Sequence, residues 1–239
     1  MGHRTVMIDI ESVTKRRGRR TVLSSVSFRA RPGRVTGFVG PNGAGKSSTL
    51  RILLGLDRAT SGRALVGGRR YCDLPQPLRT VGALLDGGGA HPSRTARAHL
   101  AWIAASQGIS RRRIDEVLDL VGLRGDARRR AGTYSLGMGQ RLGLAAALLG
   151  DPEVLVLDEP VNGLDPAGVL WIRDLVRGRA AQGGTVLMSS HLMGELAEVA
   201  DDIVVIADGR ITAAGSIDDV VAPYGDLEAA FFALTGGAR

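Results

Sequence analysis

Two short stretches of this chain carry residue types that could do phosphate chemistry. The first is Gly40-Pro41-Asn42-Gly43-Ala44-Gly45-Lys46-Ser47, which matches the pattern G-x-x-x-x-G-K-[ST]. Its glycines let successive backbone N–H groups curl onto phosphate oxygens. A helix opening at Lys46 would aim its positive N-terminal end at the same point. In such a loop Lys46 reaches the β- and γ-phosphates, and the Ser47 hydroxyl is a ligand for Mg2+. Gly40, Pro41, Asn42, Gly43, Ala44, Gly45, Ser48 and Thr49 are candidate phosphate contacts. The second stretch is Val154-Leu155-Val156-Leu157-Asp158-Glu159, an apolar run that ends in two acids. Acids at the carboxyl end of a central strand sit at the ligand-binding edge of an open α/β sheet. Asp158 is the candidate for holding Mg2+ and Glu159 for polarising an attacking water. Neighbouring residues of a strand point to opposite faces, so the two acids are expected to divide the tasks.

These residues need elements to position them. Hydrophobic patterning predicts strands at Val6–Ile10, Val26–Ala30, Arg34–Val39, Thr80–Leu85, Glu153–Leu157, Thr185–Ser189 and Ile203–Ala207. It predicts helices at Lys46–Leu56, Pro166–Ala181 and Met193–Ala200. The Val154–Leu157 and Ile203–Ile206 runs are continuously apolar, as buried parallel strands are. Asp208-Gly209 is a hairpin turn signal. Between about Ala90 and Gly150 the strand–helix alternation stops, and three helices are expected there: Arg94–Ser106, Ser110–Val121 and Ser135–Leu149.

Composition bounds the rest. The 239 residues are 44% hydrophobic and 23% charged, which suits a folded α/β domain with one inserted subdomain. The formal net charge is +7, and all the basic residues except Lys15 and Lys46 are arginine. Interspersed acids and an aromatic content of 4% argue against a nucleic-acid partner. Cys72 is the only cysteine, so no intrachain disulfide can form. With no signal peptide apparent, a cytoplasmic location is expected. No apolar run approaches the roughly 18 to 20 residues that span a bilayer. Service in a membrane process would need another chain to cross.

In these motifs the chain resembles the nucleotide-binding subunits of ABC transporters over about residues 4 to 220. Tyr134-Ser135-Leu136-Gly137-Met138-Gly139-Gln140-Arg141 is similar to the family's signature motif in a divergent form. The resemblance implies phosphate contacts from Ser135 and Gly137. Leu136 and Met138 stand where the family has Gly and Gln, as in the branch of drug and bacitracin-type exporters. Ser135 and Asp165 also read as N-caps, Asp165 before Pro166. Gly163-Leu164-Asp165 resembles the D-loop that lies across the family's dimer interface. His191, just beyond the strand Thr185–Ser189, resembles the switch histidine that contacts the γ-phosphate and orients the water beside Glu159. In Lys15-Arg16-Arg17-Gly18, Arg17 stands where the family often stacks an aromatic on adenine. Its guanidinium could stack there or be a solvated surface charge. Asp86 stands at the Q-loop position, where a longer side chain usually reaches Mg2+.

The fold implied is a P-loop NTPase core with a mixed sheet, an N-terminal antiparallel β subdomain and an inserted helical subdomain. The core spans 1–87 and 151–215, the helical subdomain 88–150, and a C-terminal helical tail 216–239. The function implied is an ATP-binding and ATP-hydrolysing subunit. Working in a homo- or heterodimer, it would power transport, with export expected, through separate transmembrane permease subunits at the cytoplasmic face of the membrane. The alternative is a regulatory or mechanical ABC ATPase with no transport role.

Overall fold

The computed structural model describes residues 6–85 and 89–236. Strand β1 (Ile8–Arg17) and strand β2 (Arg20–Ala30) form an antiparallel hairpin, burying Ile8, Ile10 and Val13 against Leu23, Val26 and Phe28. Both strands run beyond the apolar stretches expected, because their polar outer ends also pair, Arg17 with Arg20. The apolar strand β3 (Val35–Val39) is buried throughout and feeds the glycine loop and helix α1 (Lys46–Leu53). The helix stops short of Leu56. The Gly55 and Leu56 amides turn back onto the Ile52 and Arg51 carbonyls, and this closure ends the spiral.

Strand β4 (Ser61–Val66) pairs with the other side of β1, giving the order β2-β1-β4. It was not legible as a strand: only Ala64 and Val66 are buried, too few for a period-two signal. A single turn of helix α2 (Pro77–Thr80) precedes β5 (Val81–Leu84), so Thr80 closes a helix rather than opening the strand. Three helices follow: α3 (Ala96–Ser106), α4 (Arg111–Leu120) and α5 (Leu136–Leu148). Alternation then resumes with β6 (Val154–Asp158), α6 (Pro166–Ala181), β7 (Thr185–Ser189), α7 (Met193–Ala197) and β8 (Asp202–Ala207). The Asp208-Gly209 turn, with φ of 47° and 73°, folds β9 (Arg210–Ser216) back on β8. Helices α8 (Ile217–Val221) and α9 (Leu227–Thr235) close the described chain.

The larger sheet has the order β5-β6-β7-β3-β8-β9, parallel except for the β8/β9 pair. Its faces feed two hydrophobic cores. Leu155 and Leu157 of β6 and Val35 and Val39 of β3 face the core that holds α3 to α6. Val154 and Val156 of β6, with Phe38 of β3, face the core shared with α1 and the antiparallel sheet. A sheet covered on both sides needs such two-sided apolar strands. Because β7 lies between β6 and β3, the carboxyl ends of all three meet at one edge: Asp158 is level with Ser189, and Ser189 with Phe38.

Candidate functional site

The glycine loop leaves the end of β3 and is pressed against its neighbours. Gly45 has φ of +115°, and a Cβ there would lie 2.4 Å from Leu23 Cδ2 of β2. Only glycine meets both conditions. The loop's other side is a concavity of about 140 Å³ lined by Pro41, Asn42, Gly43, Gly45, Lys46, Ser47 and Ser48. Lys46 is 7% exposed, and its Nζ donates to the carbonyls of Gly40 at 2.5 Å and Pro41 at 3.4 Å. Among the described residues no carboxylate lies within 4.0 Å of that ammonium. Burial lowers its pKa, while the charges of Glu159 and Asp158 pull it back up. A buried cation held by neutral carbonyls, beside first-turn amides that lack helical acceptors, is a fit for an anionic ligand. Thr49 is no part of this surface: it is buried and donates its hydroxyl to the Gly45 carbonyl at 3.0 Å.

Asp158 ends β6 with its side chain buried between two hydroxyls. Ser47 Oγ donates to Oδ2 at 2.9 Å, and Ser189 Oγ donates to Oδ1. Among the described residues there is no group of three or more His, Cys, Asp or Glu that could hold a metal unaided. A metal here would have one carboxylate and one hydroxyl from the chain. That sparse all-oxygen set suits Mg2+ completed by phosphate oxygens and waters.

Glu159 does not occupy a strand position. β6 stops at Asp158, and Glu159 takes φ of +50°, so the two acids diverge through a left-handed turn rather than through strand alternation. Its amide donates to Ser189 O at 3.2 Å and Ser189 Oγ at 3.0 Å. One carboxylate oxygen meets His191, with Nδ1 at 2.7 Å and the backbone N–H at 3.3 Å. The structure therefore gathers Lys46, Ser47, Asp158, Glu159 and His191 at one sheet edge. Ser189, expected only as the end of a strand and not as a site residue, is the hub of that edge. Its only signal was a polar residue ending a fully buried strand.

Ser135, Gly137 and Asp165 form a second group. Ser135 caps α5 by accepting from the Met138 amide at 3.2 Å, and Asp165 caps α6 by accepting from Gly168 at 3.0 Å. A Cβ on Gly137 would lie 2.7 Å from the Gly163 carbonyl, so the start of α5 rests directly on the Gly163–Asp165 segment. None of the three lines the glycine-loop concavity. Arg17 does not line it either: Nη2 lies 3.4 Å from Asp57 Oδ2, on an exposed side chain. Asp57 is itself held by Lys15 at 2.5 Å, and that hydrogen bond is the chief cause of its lowered pKa. Asp86 lies outside the described residues.

The sequence profile of the ABC transporter family matches residues 23–162. The chain belongs to the ABC transporter ATP-binding family. It is 38% identical to the uncharacterized ABC transporter ATP-binding protein YhcH of Bacillus subtilis, over 89% of this chain and 71% of that one. It is 38% identical to the bacitracin transport ATP-binding protein BcrA of Bacillus licheniformis, over 87% and 69%. Identity to the lantibiotic transport ATP-binding protein SrtF of Streptococcus pyogenes is 36%, over 86% and 89%. A solved ATP-binding subunit of an ABC transporter superposes with a TM-score of 0.87 at 25% identity, covering 95% of this chain and 99% of that one. A bacterial ABC transporter cassette solved as a dimer has the same fold, with a TM-score of 0.79 at 24% identity, over 87% and 98%.

This ABC subunit is thus an ATP-binding protein and an ATPase of the transporter class, with the P-loop NTPase fold. Among its described residues no helix is long and apolar enough to cross a membrane.

Proposed function

We propose that this subunit binds ATP with Mg2+ on the Gly40–Ser48 loop and works as half of a dimer that powers export through separate membrane-spanning subunits. The observation that carries the reading is the division of the candidate site. Lys46, Ser47, Asp158, Glu159 and His191 share one sheet edge, while Ser135 and Gly137 do not line the loop's concavity, and Ser135 is exposed where it caps α5. A second chain would bring its Ser135 and Gly137 to the open side of the loop, and ATP would join the two.

In this reading Lys46 and the loop amides grip the phosphates, and Ser47 and Asp158 hold Mg2+, which neutralises phosphate charge when bound. Glu159 polarises the attacking water, and His191 fixes the carboxylate. Asp165 lies at the dimer contact. The 88–150 segment moves against the core of 1–87 and 151–215 and passes the change to the membrane subunits, which place this chain at the cytoplasmic membrane face. The kinship to the bacitracin and lantibiotic transport proteins supports a transport role, and the divergent Ser135–Arg141 motif, similar to that of the exporter branch, supports an outward direction.

The test is the Glu159→Gln variant. ATP binding should persist, turnover should fall, and light scattering should find a nucleotide-dependent dimer. Unchanged turnover refutes the role of Glu159. A chain that never co-purifies with a polytopic membrane protein refutes the transport reading.

A further inference from the structure

Of the site's two acids, Glu159 is the one outside any regular element, in a left-handed conformation that costs energy for a residue with a Cβ. Such a conformation persists only where its surroundings over-determine it. One side of the Glu159 residue is held by Ser189, which accepts from its amide. The other side is held by Gln140, whose Nε2 donates to the Glu159 carbonyl at 3.0 Å. Gln140 is only 6% exposed and sits on α5 beside the buried apolar residues Leu142, Leu144 and Ala145. A buried amide among apolar neighbours is tolerated when it is hydrogen-bonded, and this one spends its bond on a single peptide. The next residue, Arg141, reaches the Val121 carbonyl at 3.2 Å and Asp165 at 3.5 Å. One turn of α5 therefore touches the chain on both sides of the turn that follows β6.

We propose that Gln140 is a positioning residue for hydrolysis: through the Glu159 carbonyl it sets the aim of the Glu159 carboxylate and makes turnover depend on where α5 sits. The inference rests on the reading of Glu159 as the water-polarising group. The held carbonyl and the side chain share one Cα, so a displacement of the Glu159 backbone carries its Cβ along and moves the oxygen that meets His191. A helix displaced relative to β6 loses the donor, and the acid loses its aim while Lys46 and Ser47 remain unaffected.

Two variants separate this from a packing role. Gln140→Met keeps the volume and removes the donor. It should lower kcat about tenfold to a hundredfold, the scale of a small misplacement of a catalytic group, with KM for ATP within about twofold. Gln140→Glu can donate to the carbonyl only when its carboxyl is protonated. Its kcat relative to wild type should therefore rise as pH falls, while the Gln140→Met ratio stays flat. A Gln140→Met chain with wild-type kcat, or one that loses ATP affinity together with turnover, overturns the proposal. So does a Gln140→Glu ratio that is flat with pH. Glu159→Gln is run alongside: if it alone abolishes turnover, the Gln140 inference fails and the Glu159 reading stands. If it leaves turnover intact, the reading beneath the inference fails first.

Discussion

His191 grips one oxygen of Glu159 twice, through its ring Nδ1 at 2.7 Å and its own backbone N–H at 3.3 Å. With Glu159 ionised, Nδ1 is the proton donor. His191→Ala removes the ring contact and leaves the backbone one. It should lower kcat about a hundredfold, in the range for a lost acid–base or orienting group, and change ATP affinity far less. A steady-state ATPase assay checks this, and an equal loss in affinity would place His191 in binding instead.

Burial lowers the pKa of Lys46 from the ordinary lysine value of 10.5, despite the opposing pull of Glu159 and Asp158. Below 10.5 the folded chain then holds fewer protons than the unfolded one, so this group's contribution to stability improves as pH rises through that alkaline window. Lys46→Met should be more stable than wild type at neutral pH without nucleotide and should lose that advantage as pH climbs. Urea unfolding across the window, without nucleotide, measures it.

His99 on α3 is 6% exposed, and among the described residues its Nδ1 has no hydrogen-bond partner. Burial, helped by the charge of Arg94, holds its pKa below the ordinary 6.5. The neutral ring's contribution is complete above 6.5 and is lost as pH falls through 6.5 toward the lowered folded value. His99→Phe should flatten the acid side of the stability profile, measured by thermal melts. An unchanged acid slope would assign the sensitivity elsewhere.

Gly45→Ala meets two obstacles, the φ of +115° and Leu23 Cδ2 at 2.4 Å. The expected cost is about 1 to 3 kcal/mol, the usual scale for a strained backbone conformation. Loss of nucleotide affinity should accompany it, read by calorimetric titration. A variant with full affinity would show that the loop can shift without harm.

The parts of the site that are contiguous in sequence were the legible ones. A loop that wraps phosphate with its own backbone must spell its glycines in one run, so Gly40–Ser47 announces itself. An acid pair ending an apolar run does the same for β6. The contacts that organise these pieces were not legible. Ser189 meets Asp158 across 31 positions and Gln140 meets Glu159 across 19, and sheet order and helix packing set such pairings. Strand β4 has no sequence signal because an edge strand with two buried side chains carries almost no periodicity. Arg17 was open between two surroundings, and the structure places it on Asp57. The left-handed turn at Glu159 has no residue-type signal, since Gly or Asn would be the usual choice there.

The alternation along β6 makes that strand intolerant of any change in length. Deleting one residue between Val154 and Leu157 would exchange the occupants of the two cores and hand the terminal acid to the wrong wall of the sheet. Point substitutions in β6 can be absorbed by repacking, whereas a frame slip of a single position cannot. Insertional scanning should therefore recover no active variant with a single-residue insertion inside Val154–Leu157.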